Sequence, residues 1–250
     1  MFNLDTFISE YVTERDESLF LEDIQNHKDD LYKNIKDKSL LVVGGAGSIG
    51  SSFIKACLPF QPKALVLVDI NENGLAELTR DLRSTFALDL PDDFVSYPID
   101  YSNSVFEKMF KNRRGFDIVA NFSAHKHVRS EKDVYSVEAL LRNNVLNLRK
   151  FLDLLVDYPP ETYFCVSTDK AANPVNIMGA SKRIMEDMIF SYSDKFPVKT
   201  ARFANVAFSN GSLPQGFLDR INKGQPLSAP CDVKRYFVSP EESGQICMLA

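Results

Sequence analysis

An acid and a base, Asp169 and Lys170, stand side by side in the middle of the chain. The apolar run at 163–166 that precedes them predicts a buried strand, and the pattern from Met178 to about residue 195 predicts a helix. Open α/β sheets bind their ligands at the carboxyl ends of the strands. Lys182 lies four residues after Met178 and therefore on the same face of that helix. The segment predicts an acid–base site that faces a ligand.

A second ligand-binding element is predicted near the start of the chain. The apolar run 40–43 predicts a strand, and glycines at 44, 47 and 50 follow it directly, before a predicted helix. Glycines at such a junction let the backbone turn tightly and approach a pyrophosphate at the helix N-terminus. The spacing is GxxGxxG instead of GxGxxG, and glycines also simply form turns, so the triplet is not specific alone.

Asp69 adds to the glycine loop. It ends the next predicted strand, 64–68, nineteen residues after Gly50. A carboxylate at this place accepts hydrogen bonds from the diol of an adenine ribose. No arginine follows directly to bind a 2′-phosphate, which favours NAD over NADP. The alternative interpretation is that Asp69 only caps the following helix.

Strands and helices alternate along most of the chain. This predicts an α/β fold, a Rossmann-type doubly wound parallel sheet with cofactor and substrate at its carboxyl edge. The predicted strands are 40–43, 64–68, about 94–99, 116–122, 163–167 and 198–204. The predicted helices are about 48–58, 72–86, 104–111, 134–156 and 178–195.

Three regions are predicted. Residues 1–37 form a helical N-terminal extension that packs on the main domain or on a partner chain, because their apolar residues have helical spacing. Residues 38–205 form the NAD-binding domain. Residues 206–250 begin a small substrate-binding region, which we expect to be incomplete because the helix begun at 240 shows no capping signal.

Composition narrows the class of protein. The chain is 44% hydrophobic and 25% charged, with a net charge of −5, which argues against a nucleic-acid-binding surface. The four cysteines form no CxxC pair and indicate reduced thiols, and no metal site is predicted. Since neither a membrane segment nor a signal peptide is recognisable, we expect a cytoplasmic protein.

Taken together, the motifs resemble those of the extended short-chain dehydrogenase/reductase superfamily. Within it, the sequence is most similar to nucleotide-sugar 4,6-dehydratases of bacterial polysaccharide and glycan biosynthesis, in particular the UDP-N-acetylglucosamine type. The resemblance covers about 39–250. It is carried by GGAGSIG (44–50), Asp69, Asp100, AHKHV (124–128), STDKAANPVNIMGASKR (167–183), ARFANV (201–206) and KRYF (234–237).

The resemblance implies a reaction and a set of residue roles. NAD⁺ takes hydride from sugar C4, a base removes the C5 proton, water leaves, and hydride returns to C6. The catalytic residues implied are Lys170 as base, Asp169 as acid, Thr168 and Lys182. Cofactor binding is implied for Gly44, Gly47, Ser48, Ile49, Gly50, Asp69, Asp100, Tyr101, Ser123 and Lys182. Substrate binding is implied for Lys126, Thr168, Met178, Asn205 and Arg235.

Several of these residues could instead have purely structural roles. Asp169 and Lys170 form a surface ion pair beyond a strand in the alternative view. Burial and neighbouring cations lower the pKa of a lysine, whereas Asp169 favours its ammonium form, so the sequence leaves the state of Lys170 open. Lys126 and Arg235 are alternatively solvated charges, and Asn205 a turn residue.

Met178 departs from the superfamily pattern Tyr-x-x-x-Lys, in which a tyrosine accepts the alcohol proton. Methionine accepts no proton, but it occurs here in one branch of the dehydratases, usually in large membrane-anchored members. We hypothesise that Thr168 orients the 4-hydroxyl and that Asp169 accepts its proton and later delivers it to the leaving group. Packing against nicotinamide or substrate without chemistry is the alternative role of Met178.

Two competing functions follow. A nucleotide-sugar 4-epimerase shares the ketone but usually has tyrosine and lacks the Asp-Lys pair. A non-catalytic NAD-binding regulatory or scaffold protein is favoured by Met178 and opposed by the intact set Asp169, Lys170 and Lys182. A homo-oligomer formed through the helices predicted at 134–156 and 178–195 is implied by the resemblance.

Overall fold

The computed structural model describes residues 3–126, 131, 133–229, 231–232 and 234–250. In this part of the chain, six parallel strands form one sheet in the order β3-β2-β1-β4-β5-β6. The strands are β1 (Ser39–Val43), β2 (Ala64–Val68), β3 (Asp93–Tyr97), β4 (Ile118–Asn121), β5 (Thr162–Val166) and β6 (Val198–Ala201). The order reverses between β1 and β4, which is the switch point where such folds bind ligands. The predicted α/β Rossmann fold is confirmed.

Helices cover both faces of the sheet, which explains why its strands are continuous apolar runs. On β1, Leu40 and Val42 belong to one core, and Leu41 and Val43 to the other. The helices after the extension are α4 (Ser48–Cys57), α5 (Glu72–Ser84), α6 (Ser104–Asn112), α7 (Val134–Leu141), α8 (Leu148–Asp157), α9 (Ile177–Phe190), α10 (Leu213–Asn222) and α11 (Pro240–Leu249), numbered after the three helices of the extension.

The N-terminal extension is helical. It contains α1 (Leu4–Ile8), a π-helical turn (Ser9–Thr13), α2 (Leu21–Asn26) and α3 (Lys28–Ile35). Leu31 and Ile35 of α3 are buried in the core that also contains α4 and α5. The extension therefore packs on the main body of its own chain, one of the two expectations.

The described residues of segment 206–250 contribute two helices and a strand. The strand β8 (Phe237–Val238) pairs in parallel with β7 (Asn205–Val206), separately from the main sheet. Helix α11 packs so closely on α4 that a Cβ atom at Gly244 would lie 2.3 Å from the Ser52 carbonyl oxygen. The end of the chain is thus joined to the helix that follows the glycine loop.

Several elements differ from their predicted bounds, three of them markedly. The helix predicted at 134–156 contains a π-helical turn, Arg142–Asn147, between α7 and α8. The turn lets the buried Asn144 reach the backbone of His125, a contact that apolar periodicity cannot reveal. Helix α9 ends at Phe190 and gives way to turns, and β6 ends at Ala201, where its pairing with β5 stops.

Candidate active site at the carboxyl edge of the sheet

A cleft of about 1120 Å³ runs along the carboxyl ends of the central strands. Its walls are the glycine loop, the loops after β2, β3, β4 and β5, the start of α9, and the segments around β7 and β8. Of the residues predicted to bind cofactor or substrate or to act in catalysis, every one except Asp169 lines this cleft. Asp169 lies beside it, bonded to two residues that do.

The glycine loop is shaped by close backbone approaches. Gly44 has φ +77°, and a Cβ atom there would lie 2.7 Å from the Ser123 backbone nitrogen. A Cβ atom at Gly50 would lie 2.4 Å from the Gly44 carbonyl oxygen. Helix α4 begins directly after Gly47 with its N-terminus at the cleft. The N–H groups of a first helical turn have no intrahelical acceptor, so they can bind an anion.

Asp69 is tied to the glycine loop. Its carboxylate accepts from the backbone N–H of Ala46 (3.0 Å) and of Asn71 (2.9 Å). The cap of α5 is Asn71, whose Oδ1 accepts from the Gly74 N–H. The alternative in which Asp69 only caps the next helix is therefore wrong. Asp69 is half-buried and lines the cleft.

The loops after β3 and β4 form the next part of the wall. Asp100 is exposed, and its Oδ1 accepts from the Ser102 N–H at 2.8 Å. Tyr101 is buried, which raises the pKa of its phenol, and it donates to the Asn143 carbonyl at 2.9 Å. Ser123 is half-buried and its N–H donates to Asn121 Oδ1.

Thr168, Asp169 and Lys170 follow β5 as one hydrogen-bonded group. Thr168 Oγ1 donates to Asp169 Oδ1 (2.8 Å), and the Lys170 ammonium pairs with the same oxygen at 3.0 Å. Partial burial opposes ionisation of Asp169, but the bonds from Lys170 and Thr168 outweigh it and hold its pKa below the usual range. Asp169 and Lys170 thus form the ion pair of the alternative interpretation, but Lys170 lines the cleft.

Lys182 on α9 is buried and lines the same cleft as Thr168 and Lys170. Its ammonium donates to the Val166 carbonyl oxygen (3.1 Å) and lies 3.5 Å from Met185 Sδ. Burial lowers the pKa of Lys182, although Cys165 and Glu186 favour the charged form. An ammonium has three donors, so Lys182 retains capacity to donate into the cleft that it lines.

Met178 is held on both sides of its backbone. Its N–H donates to Glu131 Oε1 at 2.7 Å, and its carbonyl accepts from Ser181 Oγ at 2.7 Å. The side chain is buried, with 3% exposed, and lines the cleft. A methionine fixed in this way can shape an apolar wall but cannot move a proton.

The loop after β4 is clamped to α9. Asn144 accepts from the His125 N–H (2.9 Å) and donates to the His125 carbonyl (3.0 Å) and to Ser181 Oγ (3.1 Å). Lys126 is exposed at the cleft, where the surrounding walls nevertheless desolvate its ammonium and lower its pKa. The last two residues of the AHKHV motif, His127 and Val128, lie outside the described residues.

Asn205 and Arg235 come together through the pairing of β7 with β8. Asn205 lies opposite Phe237, and its N–H donates to the Tyr236 carbonyl at 3.2 Å. Both residues line the cleft, as does segment 209–214. The Asn210 N–H donates to Ser48 Oγ at 2.8 Å, which bridges this segment to the start of α4.

Several supporting residues were not predicted from sequence. Glu186 is buried, accepts from Ser167 Oγ, and pairs with Arg202, whose Nε lies 2.7 Å from its Oε1. Its position four residues after Lys182 was the available signal. Glu131 and Asn144 carried no sequence signal, because each acts on a residue far away along the chain.

Comparison with known proteins identifies the family of the chain. The model of a family described as polysaccharide biosynthesis protein matches residues 40–250. The chain belongs to this polysaccharide biosynthesis family. This confirms the resemblance at the level of the family.

Related sequences carry several names. The chain is 33% identical to an uncharacterized membrane protein of Methanocaldococcus jannaschii, over 88% of this chain and 65% of the relative. It is 30% identical to the capsular polysaccharide biosynthesis protein CapD of Staphylococcus aureus, over 88% and 37%. It is 26% identical to a UDP-glucose 4-epimerase of Rickettsia akari, over 86% and 62%. The chain thus spans less than two thirds of these relatives. None of the helices among its described residues has the length and apolar character required to cross a membrane.

Solved structures agree on the fold. Pen from Bacillus thuringiensis superposes with a TM-score of 0.73 at 22% identity, covering 86% of this chain and 64% of that one. WbmF from Bordetella bronchiseptica, in complex with NAD⁺, gives a TM-score of 0.64 at 18% identity, covering 84% and 68%. At these identities the likeness establishes the Rossmann-type architecture.

Proposed function

We propose that the protein is an NAD-dependent 4,6-dehydratase of a UDP-N-acetylhexosamine, with UDP-N-acetylglucosamine as the preferred candidate. The product is a 4-keto-6-deoxy sugar nucleotide for polysaccharide or glycan biosynthesis. The observation that carries the proposal is the hydrogen-bonded group of Thr168, Asp169 and Lys170, two members of which line the cleft close to the start of α9. Membership of the polysaccharide biosynthesis family supports the substrate class.

The residues present fit a dinucleotide. The Gly44 and Gly50 positions leave no room for side chains, the first turn of α4 faces the cleft, and Asp69 lies at the end of β2. These features suit a pyrophosphate and a ribose diol, while Lys182 would hold the nicotinamide ribose. WbmF, with the same fold, was crystallised with NAD⁺. NAD would supply a hydride acceptor for C4 and return the hydride to C6.

Proton transfers are assigned to the group after β5. Asp169 has a lowered pKa and is therefore a carboxylate that can accept the 4-hydroxyl proton, with Thr168 orienting the hydroxyl. The same proton then goes to the departing 6-hydroxyl, so that Asp169 ends as it began. Lys170 would take the C5 proton and later return a proton to C5, after its ammonium hydrogens have exchanged with solvent. This role requires Lys170 as the neutral amine.

A nucleotide-sugar 4-epimerase is the second candidate, and the match to the Rickettsia akari protein is the observation in its favour. An epimerase returns hydride to C4 and has no step that needs a base at C5. The paired Asp169 and Lys170 would then have no role, and Met178 would leave the 4-hydroxyl without the usual tyrosine. The site therefore favours the dehydratase.

The test uses the purified full chain and UDP-N-acetylglucosamine, with products analysed by mass spectrometry. We expect loss of one water without added NAD, because the cofactor would be purified with the protein. An unchanged mass with formation of the galacto epimer would replace the dehydratase by the epimerase. Bound NAD without any turnover would favour a regulatory or scaffold protein.

Location, assembly and domain division remain proposals from the sequence. We propose a cytoplasmic enzyme, divided at about residues 37 and 205 as predicted. We also propose a homo-oligomer formed through α7, α8 and α9. Exposed apolar residues on α7 and α9 support the interface: Val134, Tyr135, Ile184 and Phe190.

A further inference from the structure

We propose that the N-terminal extension supports the substrate-binding edge of the cleft, formed by the segments after β7 and around β8, and that Arg15 is its positioning residue. The extension lies before residue 40, where the match to the family begins. Arg15 would act by fixing β8, and with it Asn205 and Arg235, so that these two residues bind the diphosphate of the substrate. The inference rests on the proposed function in taking Asn205 and Arg235 as substrate-binding residues.

The first observation is a buried carboxylate that joins the two ends of the chain. Arg15 forms a two-pronged ion pair with Glu242, with Nε–Oε1 at 3.1 Å and Nη2–Oε2 at 2.8 Å. Only 2% of the Glu242 side chain is exposed. Leu19 N–H (3.2 Å) and Ser239 N–H (2.8 Å) also donate to this carboxylate. A charge this buried needs its partners, so the junction is specific.

The second observation is the position of the junction relative to the cleft. Glu242 and Ser239 form the capping box of α11, and Ser239 directly follows Val238, the last residue of β8. The strand β8 pairs with β7, which contains Asn205, and Arg235 comes two residues before β8. Arg15 therefore fixes the end of the ribbon whose other residues line the cleft.

The extension touches the same region at two further points. The Phe7 ring contacts the Phe208 ring edge-on, with centroids 5.9 Å apart. Phe208 has a left-handed backbone, φ +51°, two residues before Asn210, whose N–H bonds to Ser48 Oγ. Ser18 Oγ donates to Gln245 on α11. The extension thus contacts both segments of the substrate-binding edge, the one after β7 and the one after β8.

The experiment compares three full-length variants with the wild type. Arg15→Ala breaks the ion pair but leaves Glu242 charged and buried. The double variant Arg15→Ala/Glu242→Gln breaks the ion pair without leaving a buried charge, because glutamine is neutral. The start of α11 should be retained, since glutamine also forms a capping box. Arg80→Ala is the matched control, since Arg80 pairs with Glu77 on the exposed surface of α5. UDP affinity, NAD content and amide hydrogen exchange of 236–242 are measured for each.

We expect the double variant to bind UDP about three- to tenfold more weakly, the usual scale of coupling through a packed network. In turnover assays KM for the UDP-sugar should rise by a similar factor while kcat and NAD content stay unchanged. Faster exchange at 236–242 should accompany the loss. The Arg80→Ala control should match the wild type in UDP affinity, turnover, NAD content and exchange.

Two results would overturn the inference. One is a double variant with wild-type UDP affinity and wild-type exchange at 236–242. The other is an equal loss of NAD and UDP, which would indicate a general structural role. If the wild type itself fails to bind UDP, the proposed function fails. Hydrogen exchange then still decides whether Arg15 holds the β7–β8 ribbon.

Discussion

The two halves of the cleft are built in different ways. The half at β1 and β2 is made of backbone: a glycine loop, a helix N-terminus and one carboxylate, all within residues 44–69. The half at β5 and α9 is made of side chains, some of which join distant segments: the Glu131 carboxylate accepts from the Met178 N–H, and Asn144 bonds to His125 and Ser181. In the first half, Gly44 and Gly50 leave no space for a Cβ atom, whereas the side chains of the second half can be altered one at a time.

The largest effect is expected from a substitution in the backbone half of the cleft, at Gly50. Gly50→Ala places a Cβ atom 2.4 Å from the Gly44 carbonyl oxygen, so the loop must move. We expect loss of bound NAD and of all turnover, together with a destabilisation of about 1–3 kcal/mol from overpacking. Cofactor released on denaturation and thermal unfolding measure the two effects.

Gly47→Ala is the control in the same loop. A Cβ atom at Gly47 meets only the Gly44 carbonyl oxygen, at 3.3 Å, and its backbone is extended. NAD content should stay closer to the wild type. Equal loss of NAD in both variants would contradict the claim that close approach at Gly50 shapes the loop.

The next prediction breaks only the side-chain half. Lys170→Met removes the proposed C5 base, so we expect turnover to fall by about 10²–10⁴ with NAD still bound. Oxidation at C4 should still occur, and single-turnover absorbance should show reduced cofactor that accumulates. Lys195→Met, an exposed lysine outside the cleft, is the control. Normal turnover of Lys170→Met would remove this residue from the mechanism.

Asp169→Asn should stop the reaction one step earlier. An amide cannot take the 4-hydroxyl proton, so reduced cofactor should form at least about 10²-fold more slowly in a single turnover. The contrast with Lys170→Met is the informative result, because the two residues share one hydrogen-bonded group. Oxidation of C4 at the wild-type rate would rule out the dual role of Asp169.

The sequence predicted the backbone half well, because its signals are local. Apolar runs marked β1 and β2, the glycines marked the turn, and Asp69 lay at the expected distance. The residues around Asp169 were also predicted, since they form one continuous motif. What could not be predicted depends on contacts between distant segments. These are the π-helical turn at Asn144, the Glu131 carboxylate that accepts from the Met178 N–H, and the pair Arg15–Glu242, 227 residues apart.

A smaller effect is expected at Met178. Glu131→Gln weakens the bond from the Met178 N–H by removing the charge of its acceptor. We expect kcat to fall about tenfold, because misplaced groups near the reacting centre cost rate. Glu138→Gln, an exposed glutamate on α7, is the control. Equal kinetics in both variants would show that Glu131 is not needed to hold α9.

The smallest expected effect concerns pH. Bonds from Arg15 and from the Ser239 and Leu19 N–H groups outweigh burial and lower the pKa of Glu242 below its ordinary 4.5. The unfolded chain then binds more protons between the two pKa values, so this stabilisation is present above pH 4.5 and is lost as the pH falls through the lowered value. Thermal unfolding of wild type and Glu242→Gln should converge on acidification, and a constant difference would contradict this.

The central claim is that the group after β5 removes a proton from C5 and expels water. The most direct test is turnover of UDP-N-acetylglucosamine in D₂O with the product analysed by mass spectrometry and NMR. We predict a product that has lost one water and carries one solvent deuterium at C5, formed by the wild type and not by Lys170→Met. A product of unchanged composition, epimeric at C4 and free of deuterium, would contradict the account.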